Sequence, residues 1–271
     1  MRFVFTASLW LLCSLNAQAL EMELEPADRW QERADIGQLF AQAGLQGTLV
    51  VLDVQQQRYS GYNRERAEQR LSPASTFKIA NSLIGLDAGA VGSVDEPLPY
   101  EGPAQPFIAA WAVDMGLRQA MPMSNVPIYQ TLARRIGLAR MQAGVDRLAY
   151  GNRQLGEKGD RFWLDGPLAI SAREQADFLA LLAQGKLDFA PQVQQQVAEI
   201  LLQDQDKGWQ LHAKTGWQNA PNAGVGWWVG WVRRGAAIHS FALNLDLSGA
   251  ADAPKREELG RASLRMLGLL D

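Results

Sequence analysis

The chain has 271 residues, 47% of them hydrophobic, and carries 26 lysines and arginines against 29 aspartates and glutamates, a net charge of −3. That length and apolar content fit one compact unit able to build its own core, and the acidic balance excludes nucleic acid and an anionic membrane surface as partners. The single cysteine, Cys13, excludes a disulfide framework.

Residues 1–19 read as a signal peptide. They carry one charge, Arg2, then an apolar run from Phe3 to Leu15, and end in Ala17-Gln18-Ala19, a small-residue cleavage pattern. The run is short for a bilayer, and no later segment approaches ~18 apolar residues. The expectation is therefore a periplasmic protein without a stable membrane partner, residues 20–271 forming its single domain. Cys13 follows the bulky Leu12, which argues against lipidation.

Asp35 to Ala43 reads as a helix closed by Gly44, Gly47 to Val54 as a strand, and Arg58 to Tyr62 as its hairpin partner. A helix opens at Ser75 and runs to about Leu86. From roughly 85 to 205 the pattern is mostly helical. Ile128, Leu132 and Ile136, then Met141, Val145 and Leu148, recur at helical spacing. Ser171 and Glu174 make a capping box ahead of Phe178, Leu179 and Leu182, and Gln192 to Leu202 is a further helix. Strands return over Trp209–Thr215, Gly226–Val232 and the alternating Phe241, Leu243, Leu245 and Leu247. Leu259, Ala262, Ser263, Met266 and Leu267 trace one face of a closing helix. The fold class is α/β of the α+β kind: a central antiparallel sheet, with terminal helices on one face and an inserted helical subdomain on the other.

Ser75 and Lys78 stand at i and i+3 in Ser75-Thr76-Phe77-Lys78, so their side chains face each other. This is the smallest layout for a serine nucleophile with a built-in base. Alone it arises by chance about once in a chain this long. Its weight comes from the ordered series of motifs downstream: Ser124-Asn125-Val126, Tyr150-Gly151-Asn152, Phe162-Trp163-Leu164 and Lys214-Thr215-Gly216. Ser-x-x-Lys with a later Lys-Thr-Gly is a signature of penicillin-recognising serine enzymes. His212 and His239 stand singly, so no metal is expected.

On these motifs, in this order and from the signal peptide to the last helix, the chain resembles the class D serine β-lactamases, the oxacillinase type. Tyr150-Gly151-Asn152 separates it from class A, whose deacylating glutamate motif has no counterpart here. Gly226-Trp227-Trp228-Val229-Gly230-Trp231 is another shared feature. Trp217 departs from the pattern, since many relatives carry another residue there, often tyrosine.

The resemblance implies hydrolysis of the β-lactam amide of penicillin-type drugs through an acyl-enzyme on Ser75. Lys78, carboxylated by carbon dioxide to N6-carboxylysine, would be the general base, with no further cofactor. Phe77, Val126 and Leu164 would wall the carbamate, and the indole N–H of Trp163, a donor and never an acceptor, would hold it. Ser124 would relay the proton to the lactam nitrogen, with Lys214 setting its electrostatics. Thr215, Gly216 and Trp217 would line the substrate, and Arg256, or its neighbour Lys255, would read its carboxylate. Backbone N–H groups of Ser75 and Trp217 would form the oxyanion hole, while Tyr150 and Asn152 shape the adjoining loop. Penicillin-binding transpeptidases or carboxypeptidases, and non-enzymatic β-lactam sensors, share the motifs. The Phe77/Trp163 pair and the absence of a retained anchor favour the hydrolase. Antibiotic range rests on loops such as Gln218 to Val225, and monomer and homodimer stay equally open.

Overall fold

A computed structural model describes residues 29–218 and 224–270. The proposed signal peptide, and residues 219–223 of the Gln218–Val225 loop, lie outside the described residues. In chain order the elements are β1 (Trp30–Glu32), α1 (Ala34–Gln42), β2 (Gly47–Asp53), β3 (Arg58–Tyr62), α2 (Arg64–Glu68), a 3-10 turn (Ala74–Phe77) and α3 (Lys78–Asp87). Then come α4 (Leu117–Ala120), α5 (Val126–Ile136), α6 (Leu138–Arg147), α7 (Ala172–Gln184), α8 (Pro191–Leu201), β4 (Leu202–Asp206), β5 (Trp209–Gln218), β6 (Gly224–Arg234), β7 (Ala237–Leu247) and α9 (Lys255–Met266).

The strands form one sheet in the order β1-β3-β2-β7-β6-β5-β4. Its neighbours are antiparallel, as expected, except that β1 runs parallel to β3 at one edge. Successive strand residues point to opposite faces. Val50, Leu52, Trp227 and Val229 therefore join one core, and Leu49, Val51, Trp228 and Phe241 the other. Because both faces are covered, β6 reads as an unbroken apolar run rather than an alternating one. The second core is closed by α1, through Ile36 and Phe40, and by α9, through Leu259 and Leu264. The first is closed by α3, α5, α6, α7 and α8. Of these, α7 lies directly on β2, β6 and β7. The capping box that begins α7 is present, Ser171 accepting from Glu174 N–H and Glu174 accepting from Ser171 N–H.

Three local differences from the sequence expectation matter for the site. The segment at Ser75 is a 3-10 turn that becomes α-helix only at Lys78. Strand β5 continues past Thr215 to Gln218. Residues 202–206, expected at the end of a helix or as loop, pair with β5 as the edge strand β4. No helix among the described residues is long and apolar enough to cross a membrane.

Candidate active site

The 3-10 geometry is what brings Ser75 and Lys78 together. With three residues per turn, side chains at i and i+3 eclipse, and Lys78 Nζ lies 2.7 Å from Ser75 Oγ. Lys78 is completely buried at the start of α3, 5.4 Å above the Tyr129 ring. Burial pulls its amine far below the ordinary lysine range, and the charge of Lys214 lowers it further. Burial thereby favours the neutral form of an amine next to the hydroxyl, the form that can accept a proton or react with carbon dioxide.

Ser124 adopts a left-handed backbone, φ 53°, just before α5. The helix cap is not Ser124 but Asn125, whose side chain accepts the Ile128 N–H at 3.1 Å. Ser124 Oγ is thus left for Lys214 Nζ, which donates to it at 3.0 Å and to the Thr215 carbonyl at 2.7 Å. Burial brings Lys214 down to about 7, helped by the nearby charge of Arg256. Gly216, next along β5, lets the strand touch the nucleophile turn: a methyl there would meet Thr76 Cγ2 at 3.0 Å and the Pro73 carbonyl at 3.1 Å.

Arg256 stands in the first turn of α9. Its Nη1 donates to the Gly216 carbonyl, its Nε to the Ala253 carbonyl at 2.6 Å, and burial lowers its pKa. Lys255 turns away to Asp252 at 2.7 Å, so Arg256 is the residue that faces the cleft. That cleft, about 490 Å³, is lined by Ser75, Ser124, Thr215, Gly216, Trp217 and Arg256 on one side, and Val126 and Leu164 help wall it. The opposite lip is an apolar segment absent from the sequence expectation, containing Phe107, Ile108 and Trp111. Phe107 is 79% exposed. The signal for this lip is an apolar stretch between prolines with neither helical nor strand period, which has no meaning until the cleft is seen.

Phe77 stacks on Trp163 at 5.6 Å and meets Phe162 and Tyr150 edge-on. Trp163 is fully buried, and its indole N–H has no partner. An orphaned donor in this wall fits an added acceptor such as a carbamate oxygen. Tyr150 packs between Phe77 and Phe178. Asn152 ties its loop to Pro167 and Ala169, which gives both residues a shaping role. His212 stacks on Trp231 and His239 faces Asp53, in separate places.

Fold and site together are those of the penicillin-recognising serine enzymes. The family model of the penicillin binding protein transpeptidase domain matches residues 46–265. β-Lactamase OXA-20 of Pseudomonas aeruginosa is 38% identical over 90% of this chain and 91% of its own. β-Lactamase OXA-48 of Klebsiella pneumoniae is 36% identical over 88% and 90%. A solved structure, FUS-1 (OXA-85), a class D β-lactamase from Fusobacterium nucleatum subsp. polymorphum, is similar with a TM-score of 0.86 and 42% identity, over 89% of this chain and 100% of that one. The chain belongs to the class D β-lactamase family.

Proposed function

We propose that the protein hydrolyses penicillin-type β-lactams through an acyl-enzyme on Ser75 and so confers resistance to them. The observation that carries this is the pair formed by Ser75 Oγ and the fully buried Lys78 amine at 2.7 Å. Carbon dioxide added to the neutral Lys78 amine would supply a carbamate base; the buried indole N–H of Trp163, which has no partner, supports this reading as a donor for it. Lys78 then takes the Ser75 proton as Oγ attacks the lactam carbonyl. The opening carbonyl oxygen is held by the N–H groups of Ser75 and Trp217. Ser75 lies in the first turn of its helix, where backbone N–H groups lack an intrahelical carbonyl. Ser124, polarised by Lys214, returns a proton to the leaving nitrogen. Arg256 and Thr215 orient the substrate carboxylate, and Lys78 finally draws a proton from the water that frees Ser75.

The leader pattern of Met1–Ala19 supports a periplasmic location, where such substrates arrive. All of these residues come from one chain, so a monomer and a homodimer would run the same chemistry.

Mass spectrometry after mixing with a modest excess of ampicillin tests the hydrolase directly. Free protein should return within minutes, in line with turnover of order 1–10³ per second. Hydrolysis in degassed buffer near pH 5–6, below the free-lysine pKa of about 10.4, should fall and recover on adding bicarbonate. In Trp163→Phe the bicarbonate requirement should deepen. An adduct stable for hours would mean a transpeptidase or a sensor; bicarbonate-independent rates would leave Lys78 acting as a free amine.

A further inference from the structure

One buried polar cluster has no part in the proposed catalytic steps. Behind the nucleophile turn, Thr76, Tyr150 and Gln175 are all buried. They come from three places: the 3-10 turn, the loop after α6, and the first turns of α7. Polar atoms in an apolar core are costly unless paired, and pairing here is partial: the Tyr150 hydroxyl lies beside both Thr76 and Gln175, but neither it nor Gln175 Oε1 makes a well-formed hydrogen bond. What is made is one chain of bonds ending on the nucleophile turn. Gln175 Nε2 donates to Thr76 Oγ1 at 2.7 Å. Thr76 Oγ1 donates to the Pro73 carbonyl at 2.7 Å, which also accepts the Thr76 N–H at 3.1 Å. A hydroxyl has a single proton. With Gln175 donating from the α7 side, that proton is committed to Pro73.

The turn needs such a hold. Ala74, immediately before Ser75, has φ 47°, a left-handed conformation that a non-glycine residue keeps only where its surroundings over-determine it. Gly216 of β5 lies so close to the same turn that a methyl on it would meet Thr76 Cγ2 at 3.0 Å and the Pro73 carbonyl at 3.1 Å. Thr76 is therefore gripped between α7 and β5, one residue after Ser75 and two before Lys78.

We propose that Gln175 is a positioning residue for acylation: acting through the Thr76 hydroxyl, it fixes the turn that sets Ser75 against Lys78. This rests on Ser75 being the nucleophile. An apolar side chain of similar length gives up the bond to Thr76 but also removes a buried oxygen that makes no well-formed bond. Stability and acylation rate should therefore move apart when Gln175 is replaced, whereas a glutamine of purely structural value would lower both or neither.

The experiment tracks acylation by a fluorescent penicillin in bicarbonate-saturated buffer for wild type, Gln175→Met, Thr76→Val, the double variant and Thr76→Ser. Melting temperature and the Lys78 carbamate signal in isotope-labelled bicarbonate are read in parallel. Gln175→Met should keep or raise the melting temperature, keep the carbamate, and acylate about 10–100-fold more slowly, the order expected for a misplacement of up to ~1 Å. Thr76→Val should lose a similar factor, the double variant should lose little more than either single one because the bonds form one chain, and Thr76→Ser should stay near wild type. Wild-type acylation rates in Gln175→Met, or losses that multiply in the double variant, overturn the proposal. Should Gln175→Met not fold, Thr76→Val against Thr76→Ser decides, equal rates overturning it. A wild type that takes no label overturns the nucleophile assignment itself, a different failure from a labelled wild type matched by its variants.

Discussion

Two lysines are buried behind this cleft, and the proposed chemistry asks opposite protonation states of them. In the proposed mechanism Lys78 must be neutral to take up carbon dioxide, so acid works against it: below its depressed pKa the amine is protonated and the proposed base is lost. Lys214 would serve the proposed relay as a cation, and burial brings its pKa down to about 7 in the free protein. As pH rises through about 7, the charge that polarises Ser124 is therefore lost, while a substrate carboxylate bound nearby raises the Lys214 pKa again. The alkaline limb should consequently appear in kcat/KM, which reports the free enzyme, and be displaced to higher pH in kcat. Lys214→Arg, charged at every working pH, should remove that limb from kcat/KM. A limb that persists unchanged in the variant would assign it to another group. The pairs Ser75 with Lys78 and Ser124 with Lys214, which the structure brings into contact, are legible in the sequence because each residue stands in a short motif. Gln175 and Tyr129 are not. A buried glutamine and a surface one look alike in a helical string, and only packing tells them apart.

At the scale of the element, α9 is seated by a missing side chain. A methyl on Gly260 would come within 2.1 Å of Trp228 Cε3, so the helix rests on the indole with nothing between. Arg256 lies one turn earlier on the same helix, and the position of its guanidinium depends on that seat. Gly260→Ala should overpack the contact by about 1–3 kcal/mol and lower the melting temperature by several degrees, at about 2–4 °C per kcal/mol. It should also raise KM for carboxylate-bearing penicillins more than it lowers kcat. Thermal melts together with steady-state kinetics check both parts, and a variant that melts early with KM unchanged would uncouple Arg256 from the seat. The helices with strong amphipathic period and the capping box at Ser171 are legible because burial and capping leave marks in the string. Strands β1 and β4 are not: three and five residues long, they gain ladder hydrogen bonds but little burial. The residues of β4 are all exposed, so no apolar alternation can announce them.

For the whole molecule, two cores share one sheet, and stability is carried by burial on both faces. The only cysteine lies at position 13, ahead of the first strand. Melting curves with and without reductant should therefore coincide, a result that differential scanning calorimetry would give directly; a downward shift on reduction would reveal a cross-link between chains. The α+β architecture with an inserted helical region is legible from the order of periodicities alone. That α7 belongs on the sheet, and that β1 runs parallel to β3, is not, since both are set by long-range packing that leaves no local period.

That same lone thiol has a practical side. With position 13 replaced, the protein is a thiol-free background for chemistry at a chosen site. Phe107 stands at the mouth of the cleft with four-fifths of its surface in water. A dye attached through a cysteine at that position would sit on the doorstep of the pocket, and its colour or brightness would report each arrival and departure of a drug. The lip that frames the cleft thus also marks where an optical antibiotic sensor could be built on this scaffold.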